Sequence, residues 1–198
     1  MTIGEIKIEA LKLMFANVGT MSVNDLEYLD SDPNYADYMT KMSGSINRCL
    51  QRITTLLKVT CKVSNSLVAS QDDGVYTLDL SSINDLYSVA SLDLYDNGIQ
   101  RNVEYTEITK TLLVVPKQGT YKVVYYPMAQ EVTSITGNST EIDLPRNIAC
   151  LIPLYVKSEL LEEEEPSMAA QARNQFEASL EEIDIAPKTV QRKVRRVV

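Results

Sequence analysis

Three carboxylate pairs, Asp30/Asp32, Asp72/Asp73 and Asp93/Asp96, are where this chain could do acid–base chemistry. Two carboxyl groups set across a glycosidic bond can serve as acid and base, or as acid and nucleophile. The surrounding residues favour a plainer use. Asp72-Asp73-Gly74 has the composition of a tight turn between strands, and Asp32 before Pro33 that of a helix cap. The spacing around Asp72 does not fit a calcium loop either. The chain has no histidine, which removes the side chain best suited to proton transfer near neutral pH and the commonest metal ligand. It also has no GxxxxGK, GxGxxG, GxSxG or HExxH pattern. Cys49, Cys61 and Cys150 are far apart in apolar surroundings, without zinc-ligand spacing, and read as reduced, buried thiols. No cofactor is expected. The residue types point to assembly, not catalysis.

Charge is the next signal. The segment from Pro187 onward holds five of the 19 Lys and Arg and none of the 27 Asp and Glu, so a body of net −13 carries a tail of +5. An acidic body does not favour wrapping nucleic acid, which needs a continuous basic surface. In the tail, Arg192, Lys193, Arg195 and Arg196 are interleaved with Val190, Val194, Val197 and Val198. A phosphate-binding arm has no need of the valines. An extended peptide that adds to a sheet edge or lies in a groove does. Glu162, Glu163, Glu164 and Glu165 form a possible acidic surface. Read as the end of a helix they oppose its dipole, which suggests that something requires negative charge there. Seven tyrosines fall between Tyr76 and Tyr126. They suit a small sheet without tryptophan, and could alternatively form a carbohydrate platform.

The elements that must position these residues are legible from periodicity. Thr2 and Glu5 make a capping box for a helix from about Ile3 to Phe15, with Ile3, Ile6, Ala10, Leu13 and Met14 as its stripe. Residues 17–31 read as a loop or short helical turn. Asp32-Pro33 opens a second helix that keeps a 3.6-residue period through Leu57. Gly44 within it reads either as a close approach of backbone or as a tolerated glycine. From Lys58 the period changes to two. Five or six antiparallel strands are expected, including a hairpin at Asp96-Asn97-Gly98 and another joining Thr111–Val115 to Tyr121–Tyr126 around Pro116-Lys117-Gln118-Gly119. Residues 134–138 read as a linker. A third helix starts at Asp143 and Pro145. It is apolar on every face through Ile152, Leu154, Tyr155 and Val156, so it must be core or subunit interface, and Pro153 should kink it. A two-residue turn at Pro166 leads into a fourth helix, with Met168, Ala172, Phe176, Leu180 and Ile183 inward and Arg173 among the outward residues. The expected fold class is therefore α+β: a small helical bundle (residues 1–57 and 140–185, two N-terminal and two C-terminal helices), an inserted antiparallel β unit (58–130), and an extended basic docking tail (186–198). No apolar run approaches the ~20 residues of a membrane span, and the opening reads as an amphipathic helix, not a signal peptide. The expectation is a soluble chain made in the cytoplasm.

The stretch Leu144-Pro145-Arg146-Asn147-Ile148, Ile152-Pro153-Leu154-Tyr155-Val156, Leu160-Leu161, Glu165, Ala169-Ala170 and Ala172-Arg173-Asn174-Gln175-Phe176-Glu177 through Leu180 resembles the paired C-terminal helices of the head–tail connector (adaptor) proteins of tailed bacteriophages. The second helix, Tyr35 to Leu57, fits as their partner in the bundle. The β unit has no residue-by-residue match. The resemblance implies a ring oligomer, a dodecamer in the family, placed under the portal protein of a virion. Such a ring extends the DNA channel and offers a lower surface to a tail or stopper protein. It also implies that the C-terminal segment, Val190 to Val198, inserts into the portal, and that double-stranded DNA passes without sequence-specific contact. No membrane partner is implied. The alternative from another class is a β-rich module on a helical stalk that binds carbohydrate or protein.

Overall fold

The computed structural model describes residues 1–96, 99–133 and 135–183. The architecture is mixed helix and sheet, and the chain divides into two compact units. One comprises Met1–Leu57 with the described chain from Gln130 onward, and the other Lys58–Ala129. Residues 186–198, expected as a docking tail, and Asn97 and Gly98, expected as a hairpin turn, lie outside the described residues.

In the helical unit, α1 spans Ile3–Met14. The Thr2 hydroxyl accepts from the Glu5 amide at 3.2 Å, and the Glu5 carboxylate accepts from the Thr2 amide at 2.8 Å. Two orphan donors of the first turn are satisfied reciprocally. The buried stripe is Ile3, Ile6, Ile8, Ala10 and Leu11, while Leu13 is exposed. The stripe is thus rotated from the expected one. The inward side packs on α5, and the first turn is held by a returning segment: the amides of Ile3 and Gly4 donate to the carbonyls of Thr140 and Asn138, at 2.9 and 2.8 Å. A Cβ on Gly4 would sit 2.7 Å from Val23 and 3.0 Å from the Asn138 carbonyl, so only glycine fits there. Asn138, at the end of the expected linker, is accordingly tied into the helical unit's packing, whereas Ile135 within it is 93% exposed. The Asn47 side chain holds the same returning segment, donating to the Val132 carbonyl at 2.8 Å and accepting from its amide at 2.7 Å.

Between the first two expected helices lies an additional one, α2, Leu26–Ser31, which buries Leu26 and Leu29. Asp32 caps the following turn by accepting from the Asn34 amide at 2.9 Å, and α3 spans Ala36–Leu57. Its buried side carries Met39, Met42, Ser45, Ile46, Cys49, Leu50 and Ile53. At Gly44 a Cβ would meet only the end of the Arg48 side chain, at 3.4 Å, so this is the tolerated glycine. Lys58, at φ 45, ends the helix in the left-handed region.

The expected third helix is two: α4, Arg146–Ala149, and α5, Ile152–Leu160. Pro153 does more than kink a continuous helix. It occupies the first turn of a new one, where its missing N–H costs nothing. The fourth helix is α6, Pro166–Glu182, reached through Leu161 to Glu165, a longer connection than the expected two-residue turn. Tyr155 meets Phe176, ring centroids 5.1 Å apart, and Glu159 meets Arg173, so α5 and α6 run antiparallel.

The β unit contains nine strands among the described residues, more than the five or six expected, in two antiparallel sheets. They are β1 Lys62–Val63, β2 Leu67–Val68, β3 Ser70–Asp72, β4 Val75–Asp79, β5 Leu86–Asp96, β6 Ile99–Val103, β7 Thr106–Thr109, β8 Leu112–Val115 and β9 Thr120–Pro127. The first sheet runs β1-β9-β5-β6, with β2 also on β9, and the second β3-β4-β8-β7. Successive hairpins therefore alternate between sheets: β3–β4 in the second, β5–β6 in the first, β7–β8 in the second. The expected hairpin around Pro116-Lys117-Gln118-Gly119 does not form, because β8 pairs β4 and β7 while β9 pairs β5. That loop carries the chain from one sheet to the other. Both inner faces meet in one core of Leu78, Leu80, Leu113 and Val115 from one sheet and Leu86, Leu92, Leu94, Tyr121 and Val123 from the other.

Candidate assembly surface

Asp32, Asp72, Asp93 and Asp96 each stand at a turn or between strands. Asp72 faces Val75 across a two-residue turn in which Asp73 (φ 46) and Gly74 (φ 80) both take the left-handed conformation. This is the geometry a tight hairpin demands. Asp93 accepts from Gln100 Nε2 at 2.8 Å and Asn102 Nδ2 at 3.3 Å on the neighbouring strand, and Asp96 pairs Lys117 at 2.6 Å. Among the described residues, no three His, Cys, Asp or Glu side chains converge where a metal could sit, and no helix is long and apolar enough to cross a membrane. Of the tyrosines on strands, Tyr121 and Tyr125 are buried. Their hydroxyls donate to the Lys117 carbonyl at 2.6 Å and to Asp85 at 2.9 Å. The three cysteines do not share one environment: Cys49 is buried, and burial pushes its thiol well above the usual range, while Cys61 and Cys150 are exposed.

The residues assigned to interface or core separate cleanly. Ile152 and Val156 are fully buried and Tyr155 nearly so. Leu154 is half-buried. The helix is apolar on every face because α1, α3 and α6 of its own chain surround it. Leu154 is the member of the set that keeps surface to offer a neighbouring copy.

Glu162 to Glu165 are exposed. They do not end a helix, as the sequence suggests. They fill the connection between the C-cap of α5 at Leu161, where negative charge opposes the dipole, and the first turn of α6, where it is favourable. The Tyr38 hydroxyl donates to Glu164, which pushes the phenol up to about 12. Lys41 pairs Asp37 at 2.7 Å and is raised by that bond, with smaller help from Glu163 and Glu164. The start of α3 and the α5–α6 connection thus share one acidic end. By count, the helical unit's described residues carry 18 acids against eight bases, and the β unit eight against six.

Sequence reasoning placed Arg173 on the outer face and missed its role. Its guanidinium lies 4.0 Å over the Tyr155 ring and donates to Glu159 at 2.9 Å, while Arg48 of α3 donates to the other Glu159 oxygen. Arg52 adds a two-pronged pair with Glu177 at 2.8 and 3.0 Å. These ties join α3, α5 and α6. Burial pushes the Glu159 carboxyl up, but the bonds from Arg48 and Arg173 outweigh it, and the net shift is downward. A lowered folded value means that the contribution is complete above the ordinary carboxylate range and lost as pH falls through the lowered value. Glu159→Gln should cost about 2 kcal/mol at neutral pH, short of the full cost of breaking a buried pair because Arg48 is half-exposed. Urea unfolding in acid should then show a smaller gap between variant and parent.

No protein-family model matches the chain, and no curated protein matches it.

Proposed function

We propose that this protein is a non-enzymatic ring subunit of a tailed-phage connector. It docks beneath the portal protein, extends the DNA channel, and presents a surface to a tail or stopper protein. Its place is the head–tail interface of the virion. The observation that carries the reading is the α5–α6 pair. The residues that resemble the adaptor helices are those that build this antiparallel pair, with α3 packed against it and the β unit inserted between α3 and α4. The acidity of the helical unit supports it as well, since an acidic lining lets double-stranded DNA slide without specific contact.

The test is mass under native conditions, alone and with portal. A chain of 22.2 kDa whose helical and β units each close a core should be monomeric by itself and many-fold larger on a portal ring. The tail has charge and apolar side chains to place on a partner, and segments ordered by binding draw their ordering cost from it. A protein that stays at monomer mass in the presence of portal would end this reading.

A further inference from the structure

The chain enters and leaves the β unit side by side, since Lys62 of β1 is the register partner of Tyr125 of β9. β1 is only two residues long and both are exposed. A strand so short at a sheet edge is held weakly by its own ladder. Just beyond it Ser64 is secured, its amide donating to the Val123 carbonyl and its hydroxyl accepting from the Val123 amide, both at 2.9 Å. Before Ser64, Lys58 Nζ lies 5.5 Å over the Tyr126 ring, and a further anchor acts on Lys62.

That anchor comes from the connection between β4 and β5. One Asp85 carboxylate oxygen accepts from Lys62 Nζ at 2.7 Å, and the other from the Tyr125 hydroxyl at 2.9 Å. The Asp85 carbonyl accepts from the amide of Met128, just past β9, at 2.6 Å. A single residue thus touches the entering strand once and the leaving strand twice. Tyr125 is buried, whereas the Lys62 and Asp85 side chains are 48% and 40% exposed. The inner half is fixed by packing and the outer half is open to solvent.

We propose that Asp85 is a clasp that holds the entrance of the β unit to its exit, and whose release loosens residues 58–63 while the pairing of β9 with β5 and the second sheet stay intact. A half-exposed ion pair contributes little to global stability. It can still govern a local opening, because such openings have their own free energies, far below that of unfolding. The charged and titratable groups facing the carboxylate are Lys62 from β1 and Tyr125 from β9. The Lys62 bond is the main reason that the carboxyl lies below its usual range, so the clasp is closed at neutral pH and opens in strong acid.

Limited trypsin digestion reads the opening directly, because Lys58 and Lys62 lie on the segment released. Asp85→Ala should speed cleavage after Lys62 about ten-fold and Asp85→Asn, which keeps an acceptor for Tyr125, about three-fold. Lys62→Gln, monitored by cleavage after Lys58, should match Asp85→Asn. In all three, the Met128 amide should exchange faster with solvent. The Leu80 amide, bonded to the Thr111 carbonyl in the second sheet, should exchange as in the parent. Cleavage at the parental rate in Asp85→Ala would overturn the proposal. So would equal acceleration of Met128 and Leu80, because Asp85 would then support the whole unit and not its mouth.

Discussion

Val156→Asp should not fold, whereas Leu154→Asp should fold and fail to assemble. Val156 is fully buried where α5 meets three other helices. An unpaired carboxylate there costs several kcal/mol even after it takes up a proton. Against a typical total of ~5–15 kcal/mol for a domain, that is most of the stability. Circular dichroism and urea titration should show loss of the cooperative transition. Leu154 lies two residues away but is half-buried, so its carboxylate can reach water. The variant should keep a transition within about 1 kcal/mol of the parent. If α5 contributes apolar surface to the contact between copies, portal-templated rings of Leu154→Asp should be absent by native mass measurement. Rings of normal size would take α5 out of that contact, and a well-folded Val156→Asp would take Val156 out of the core.

Deleting Lys188 to Val198 should leave the fold unchanged and abolish docking on the portal. The last buried side chain of α6 is Leu180, and in the sequence no apolar stripe of helical period continues past Ile183 or Ile185. In the proposed complex, Arg192, Lys193, Arg195 and Arg196 meet acidic groups, and Val190, Val194, Val197 and Val198 fill apolar pockets. The two contributions separate kinetically. Neutralising Arg192, Arg195 and Arg196 together should slow association and flatten its salt dependence, because exposed charges mainly steer encounter. Val194→Ser with Val197→Ser should leave association alone and speed dissociation. A nucleic-acid arm behaves otherwise: the truncated protein would lose DNA binding with a steep salt slope and still join the portal. Normal assembly of the truncated protein would favour that rival.

Local signals were legible where one segment decides its own structure. The Thr2–Glu5 box and the long period of α3 are of this kind, and so is the Asp73-Gly74 turn. What could not be read depends on partners distant in sequence. Pro116 to Gly119 has the composition of a hairpin loop, and nothing local says that β8 and β9 pair with strands of different sheets. β7 has four exposed residues and hence no alternation to detect. α2 is six residues long with two buried leucines, too short for a period to emerge. Arg173 looked like an outward charge because the Tyr155 ring beneath it comes from another helix. Of the proposed site, Ile152, Tyr155 and Val156 were legible as buried, but which chain buries them was not. In the tail, Val190, Arg192, Val194 and Arg196 are spaced two apart, so an extended segment projects all four to the same side. Each side is therefore mixed, which suits a groove with alternating pockets better than a sheet edge with one dry face.

The pairing of Lys62 with Tyr125 bears on how the chain folds. Between α3 and the later helices lies a long stretch of chain, and closing a flexible loop of that length is entropically costly, by about 0.6 kcal/mol for each doubling. Once the β unit has condensed, its ends stand at one mouth, and the helices on either side are joined by what amounts to a short connector. Folding of the insertion thereby shortens the search of α3 for α5. If the β unit condenses first it acts as a nucleus for its host, and variants that slow its condensation should then slow the helical unit too, without touching a helix.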